Sequence, residues 1–498
     1  MKVKKILNIR LNNYILFNMK KYILMFAESQ WHSLDIDDHD NYNISETIII
    51  NQETLYVTFQ TSQLIQHIRA NSRIKKLPAI IDLECLDKQM AQEGKEFRNY
   101  KNWKAIHALR HHKVIDSEFE LKKSNFKLIL EHLSSLFKTL IDKDSSEKQR
   151  FENIESKINQ LIYERQHKGI SIDLEIAKEK CIELEEDIYR LKNILQLEYN
   201  IFNPENEQLQ LSYLASKKFN YIKSLTYSFK IRRNQDPVCL IFYDLLRNQN
   251  DLDSFIFMLS HWGGANKTYP TFYGFGTISS RITLRQPALQ NLKKNNRVVI
   301  IPDKGMKFLY IDYGQFEAGI LASLSDDDTL IKLYNSDIYS DLAEKVLGDK
   351  SKRSDAKVIF YRYMYGDTTL DNKSQLYFSK FKKLAEFKET IDVNIKKEKK
   401  IGTSEGNFRY SLDNESSWSL SHVIQSTASL IYKKALIRVR NEIRNVEFLI
   451  PMHDATLYQI EEYNYIDYSK RIENIYIEEF KKVCPKIQPI MYCSELFN

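Results

Sequence analysis

The sequence predicts a multidomain protein of mixed α+β and α/β class, and three observations predict it. At 498 residues the chain is long enough for about three domains. Two short apolar runs, Phe308-Leu309-Tyr310-Ile311 and Phe448-Leu449-Ile450, read as buried strands, and each leads within a few residues to an aspartate, Asp312 or Asp454. Between residues 151 and 198 a long helical pattern stops at Gly169-Ile170-Ser171-Ile172-Asp173 and resumes as Leu174–Leu197.

Taken in order, residues 22 to about 150 read as mixed strands and helices, ending in a helix near Phe126–Leu140. Phe202-Asn203-Pro204 opens a further helical stretch after the broken pair. The two aspartates then stand 142 residues apart (454 minus 312). Either one alone reads equally well as a turn residue. A carboxylate at the tip of a buried strand is costly unless a cation or solvent neutralises it. Two such tips side by side make a hard, oxygen-rich site suited to a pair of Mg²⁺ ions, with Mn²⁺ as a substitute. Two metals about 3.5–4 Å apart activate an attacking oxygen and hold the leaving oxygen of an in-line phosphoryl displacement.

Between the aspartates, Arg353, Lys357, Tyr361 and Tyr365 recur every four residues and so form one stripe if the segment is helical, with Gly366 as its C-terminal stop. Such a stripe suits a triphosphate at its cationic end, Arg353 as a fork and Lys357 as a point charge. Its aromatic end suits a base and sugar. The alternative is an amphipathic helix whose aromatics face the core.

Together these segments resemble the DNA polymerases of family A. Asp312-Tyr313-Gly314-Gln315-Phe316-Glu317 is similar to that family's Asp-Tyr-Ser-Gln-Ile-Glu motif. Arg353, Lys357, Tyr361, Tyr365 and Gly366 match its Arg-x3-Lys-x3-Phe/Tyr-x3-Tyr-Gly motif, and His453-Asp454-Ala455 its His-Asp-Glu motif. Upstream, Ser280-Arg281 and Pro287-Ala288-Leu289-Gln290-Asn291 resemble its Gly-Arg…Pro-Asn-Leu-Gln-Asn stretch, and Ile424-Gln425-Ser426-Thr427-Ala428 its Ile-Gln-Gly-Thr-Ala segment. The matches run in the family's order over roughly residues 270 to 460.

The resemblance implies a right-hand polymerase with palm, fingers and thumb, behind a reduced, exonuclease-like α/β domain. It divides the chain into residues 1–150 (N-terminal domain), 151–265 (thumb), 266–345 (first part of the palm), 346–420 (fingers) and 421–498 (second part of the palm). It implies template-directed addition of dNTPs to a primer 3′ end. Asp312 and Asp454 become the metal-binding pair, completed by the Tyr313 carbonyl. Arg353 and Lys357 grip the triphosphate, and Lys357 protonates the departing pyrophosphate. Gln315, Tyr339, Tyr361 and Tyr365 line the nucleotide pocket. Glu317 becomes a steric gate against ribonucleotides, tied by the Tyr365 hydroxyl. Arg281, Gln290, Asn291, Gln425 and His453 hold the primer-template through minor-groove acceptors that are shared by correct pairs.

The chain also departs from the pattern. Ala455 stands where the family has Glu, which implies slower or more metal-demanding catalysis. Tyr361 stands where many members have Phe, which implies ready use of dideoxynucleotides. Tyr339 replaces a phosphate-contacting His, and Gly314 a serine. A non-catalytic DNA-binding scaffold is the competing function; it has no need of the triphosphate grip or the gate.

Composition agrees without deciding. The net charge of +7 suits phosphate contacts, and 43% hydrophobic content is ordinary for a globular chain. No apolar run reaches the roughly 18–20 residues that span a bilayer. Five scattered cysteines with no CxxC pair argue for a reducing, cytoplasmic setting and against a zinc site. The first 27 residues carry six Lys/Arg and no acid, yet Lys20–Phe26 already reads as a first strand, so Met19 is the expected start. Ala79-Ile80-Ile81-Asp82-Leu83-Glu84 superficially matches a first exonuclease motif. The region offers no convincing partners for it, so proofreading is not expected.

Overall fold

The computed structural model describes residues 19–497 apart from 72–73, 75, 92–103, 117, 120–124, 143–144, 222–223, 262–265, 368, 412–415 and 453. Its first sheet contains β1 (Lys20–Ala27), β2 (Gln30–Asp35), β3 (Tyr42–Ser45), β4 (Thr54–Thr58) and β5 (Ala79–Asp82), in the order β3-β2-β1-β4-β5. β1, β4 and β5 run parallel, whereas β2 and β3 are antiparallel to their neighbours. Successive strand residues face opposite sides. Ile23, Met25 and Val57 accordingly pack with the helix Phe126–Asp142, and Leu24 and Tyr56 with the helix Thr61–Ala70. Cover on both faces explains why β1 reads as an unbroken apolar run.

The chain leaves this sheet through the short helix Ser146–Arg150, a π-helical turn at Phe151–Glu155 and the helix Ser156–Lys168. Gly169 (φ 75°) ends that helix and sends the chain into β6 (Ile170–Ser171). The carboxylate of Asp173 accepts the backbone N–H groups of Glu175 and Ile176 (3.0 and 3.1 Å), which starts the helix Leu174–Tyr199; such a cap is worth about 1 kcal/mol. This helix packs along Pro237–Ser260. With Glu207–Ser216 and Leu225–Arg232 the pair encloses a separate core of Leu191, Leu195, Leu214, Phe229, Phe242 and Leu245.

β7 (Lys267–Thr268) returns to pair with β6, and the hairpin of β8 (Thr271–Tyr273) and β9 (Thr283–Arg285) follows. The second large sheet is antiparallel, in the order β13-β14-β10-β15, with β10 (Met306–Gly314), β13 (Val446–Met452), β14 (Ala455–Glu461) and β15 (Ile490–Ser494). The hairpin of β11 (Lys400–Thr403) and β12 (Gly406–Tyr410) lies apart from it. The helix Ser419–Glu442 is buried on nearly all sides and joins the main core.

Asp312 lies inside β10 rather than at its end, because Tyr313 and Gly314 continue the ladder with Met491 and Ile490 of β15. A Cβ on Gly314 would meet Tyr492 and Ile490 side chains at 2.7 and 2.9 Å, which accounts for glycine there. No helix among the described residues is long and apolar enough to cross a membrane.

Candidate active site

Asp312 stands directly opposite Ala455 in the β10–β14 ladder, and Met452 opposite Ala455 in β13–β14. Asp454 therefore lies in the turn that precedes β14, at the same edge of the sheet as Asp312. Burial, and then the charge of Asp454, push the Asp312 carboxyl up to about 6, against the pull of Lys357. Two carboxylates that crowd each other in this way form a donor set that a cation relieves. Tyr313 follows, its ring stacked on Phe316 (centroids 4.2 Å) and its hydroxyl donating to the Tyr476 carbonyl (2.7 Å). The Tyr313 side chain thus belongs to the core and leaves only its main chain to the site.

The expected stripe is a helix, Arg353–Met364, with Tyr365 at its C-cap. Gly366 follows with φ 73°, and a Cβ there would lie 2.5 Å from the Ser417 carbonyl, so the stop requires glycine. Arg353 forks onto Asp337 (Nε 2.5 Å, Nη2 3.3 Å). Asp337 in turn accepts the Tyr339 N–H and the Ser340 hydroxyl at the head of the helix Ile338–Leu347. Tyr339 is 1% exposed beneath the stripe, with the Arg353 guanidinium 5.1 Å and the Lys357 ammonium 5.7 Å from its ring centre. Tyr361 and Tyr365 lie side by side, ring centres 6.1 Å apart.

Glu317, in the first turn of the helix Phe316–Ser325, is 3% exposed. Its Oε1 pairs with Arg281 Nη2, which also reaches Asp454 Oδ1 at 3.4 Å. Arg281 thus joins Glu317 to Asp454. Glu317 Oε2 has no hydrogen-bond partner, and the Tyr365 hydroxyl accepts from Gln425 Nε2 (2.8 Å). Burial raises the Glu317 carboxyl, opposed by Arg281.

Several residues expected at a ligand are engaged within the protein. Gln315 has φ 52° at the turn from β10 into its helix, accepts from Ile338 N (3.0 Å) and donates to the Tyr334 carbonyl (3.3 Å). Gln290 accepts from Leu284 N (3.1 Å), bracing β9, and the Asn291 carbonyl takes Arg247 Nη2 (2.8 Å). His453 lies outside the described residues.

Basic residues that the motifs did not disclose lie near Lys357 of the stripe. Burial lowers the Lys230 pKa, and the charges of Arg233, Arg247 and Lys357 lower it further. The visible signal was the run Lys230-Ile231-Arg232-Arg233. On the same side Asn234 donates to Asp355 of the Arg353 helix (3.3 Å).

At the N-terminal sheet, Asp82 caps the helix Leu83–Met90 through Cys85 N (2.9 Å) and accepts the Tyr163 hydroxyl (2.5 Å). Glu84 pairs with Lys88. Both acids have partners within the fold, and among the described residues no group of three or more His, Cys, Asp or Glu is placed to hold a metal ion.

The family description "DNA polymerase family A" matches residues 252–487. The chain is 24% identical over 394 residues to the DNA polymerase I of Helicobacter pylori, covering 69% of this chain and 44% of that protein. It is 26% identical over 404 residues to the DNA polymerase I of Caldicellulosiruptor bescii, covering 69% and 47%. A match to that of Borreliella burgdorferi is 26% identical over 407 residues, covering 70% and 44%. The chain therefore spans less than half the length of these relatives. In fold it is similar to the polymerase domain of Pol1 from M. smegmatis, solved with DNA primer-template and dNTP, with a TM-score of 0.72, 15% identity and 98% of each chain covered. That likeness shows the palm, fingers and thumb architecture and leaves the N-terminal sheet without an assigned exonuclease. With the motif residues from Arg281 to Asp454 all inside the matched span, residues 252–487 of the chain match DNA polymerase family A.

Proposed function

We propose that the protein is a DNA-directed DNA polymerase that adds dNTPs to a primer 3′ end on a DNA template. The observation that carries this reading is the meeting of Asp312 and Asp454 at one sheet edge, with Lys357 close enough to lower the Asp312 pKa. Asp312, Asp454 and the Tyr313 carbonyl are the residues that would hold two Mg²⁺ ions; when bound, such ions activate the primer oxygen and neutralise the leaving phosphates.

The chain's own groups account for the rest. Arg353 and Lys357 bind the triphosphate, Arg353 exchanging its Asp337 partner for phosphate oxygens. Lys357 delivers a proton to the departing pyrophosphate oxygen. Tyr361 and Tyr365 support the base and sugar, with Tyr339 as the floor beneath the two cations. Glu317 crowds the 2′ position, and Arg281 holds its carboxylate. Lys230, Arg233 and Arg247 supply a sequence-independent hold on the DNA backbone that weakens with salt. Asp82 and Glu84 are engaged in the fold, which supports polymerisation without proofreading. The five free thiols suit a reducing, cytoplasmic setting.

The test is extension of a labelled primer-template with dNTPs and Mg²⁺, with and without chelator. Extension that stops on chelation is the expected result. Duplex binding without extension in Mg²⁺ or Mn²⁺ overturns the reading in favour of a scaffold.

A further inference from the structure

The loop that carries Arg281 into the site is gripped at both ends by one buried ionic cluster. Arg150, Glu155 and Lys433 have fully buried side chains. Arg150 Nε donates to Glu155 Oε1 (3.0 Å), and Lys433 pairs with Glu155 Oε2. From that centre Lys433 Nζ donates to the Gly274 carbonyl (2.9 Å), where the loop leaves β8, and Arg150 Nη2 donates to Ser280 Oγ (2.8 Å), immediately before Arg281. Between these anchors Phe275 is 5% exposed and belongs to the core of the N-terminal sheet.

Ser280 adopts φ 58°, the left-handed region that side chains avoid. Its conformation is enclosed on every side. Ser280 N donates to the Thr277 carbonyl (2.9 Å), the Arg281 carbonyl accepts from Gly276 N (2.9 Å), and Ser429 Oγ donates to the Ser280 carbonyl (2.9 Å). A backbone held in a sparsely populated conformation persists only where its surroundings over-determine it. The next residue is the one that reaches Glu317 and Asp454.

We propose that Arg150 and Ser280 are positioning residues for polymerisation: the Arg150 grip on the Ser280 hydroxyl holds the left-handed turn that delivers Arg281 to Glu317 and Asp454. The inference rests on the polymerase reading above. By this device the segment that leaves the N-terminal sheet sets the geometry of the catalytic edge. The same segment also clasps the β11–β12 hairpin, since Glu147 accepts Asn407 N (2.9 Å) and Phe408 N (2.7 Å), and Arg150 Nη1 reaches Thr403 Oγ1 (3.5 Å).

The test compares Ser280→Ala with Ser280→Gly in the full chain. Both variants lose the hydroxyl equally, but only glycine occupies positive φ without steric cost. Alanine should lower kcat about tenfold, with the KM for dNTP changed less, and glycine should stay within about threefold of wild type. Equal losses in the two variants, or no loss in alanine, overturn the proposal, since a simple packing role does not separate them. Amide hydrogen exchange over residues 276–281 gives a second readout, faster in alanine than in glycine and wild type. If wild type extends no primer, the polymerase reading fails on its own, and the exchange comparison still decides the positioning claim.

Discussion

Asp312 faces Ala455 across the β10–β14 ladder, so the alanine sits beside the acidic pair at the position where the family carries a third carboxylate. Directly opposed residues of an antiparallel pair project to the same side of the sheet. Ala455 is 1% exposed, and its carbonyl accepts the Tyr432 hydroxyl (3.0 Å). Tyr432, Thr456, Tyr458 and Tyr476 continue a buried hydroxyl network behind it.

Ala455→Glu therefore adds a third negative charge to a site where Asp454 already raises Asp312. Without divalent metal the variant should unfold more easily, by roughly 1–2 kcal/mol. Mg²⁺ should recover more stability in the variant than in wild type. Thermal denaturation across a Mg²⁺ titration checks this; equal metal responses contradict it.

Glu317→Ala should admit ribonucleotides, reducing discrimination on the order of a hundredfold, because the change opens the 2′ position and frees Arg281 from its carboxylate partner. Single-nucleotide insertion with matched rNTP and dNTP measures it. Unchanged discrimination removes Glu317 from the sugar pocket.

Tyr361→Phe deletes one hydroxyl beside Tyr365 and should raise discrimination against dideoxynucleotides by about tenfold or more, since a polar group placed for a sugar hydroxyl weighs heavily in selection. Termination frequencies on one template compare the two proteins. Equal termination refutes the assignment.

Glu447 links β13 to the helix Ser156–Lys168, accepting from Arg165 (2.6 Å) and Lys168 (2.6 Å). Burial raises its carboxyl, but Arg165 and Lys168 outweigh that and bring it down to about 2, below the ordinary 4.5. A depressed carboxyl stabilises the fold above the unfolded pKa and loses that contribution as pH falls. Glu447→Gln should cost about 2 kcal/mol at pH 7, discounted for partial exposure, and the difference should shrink between pH 4.5 and 2. Urea denaturation at pH 7 and pH 3 measures it; a pH-independent difference contradicts the ion-pair account.

The two aspartates and the Arg353 stripe were legible because their periodicity is strong: an apolar strand leading to an acid, and a four-residue repeat ending in glycine. The position of Asp312 inside β10 was not, because β15 extends the ladder from 178 residues further on (490 minus 312). Gln290 and Gln315 show a different limit. An amide serves a backbone group as readily as a ligand, and the sequence does not say which. Asp82 superficially matched an exonuclease motif because an Asp after an apolar strand describes a helix cap equally well, and it caps the helix Leu83–Met90. The Arg281 bridge needed two segments, 36 and 173 residues away, folded onto one guanidinium.

The central claim is that Asp312 and Asp454 act together in phosphoryl transfer. Primer extension by wild type, Asp312→Asn and Asp454→Asn, beside primer-template binding by the same three proteins, tests it most directly. The account predicts extension by wild type alone, each variant losing at least about a hundredfold while still binding the duplex. Extension by either variant at the wild-type rate would contradict it.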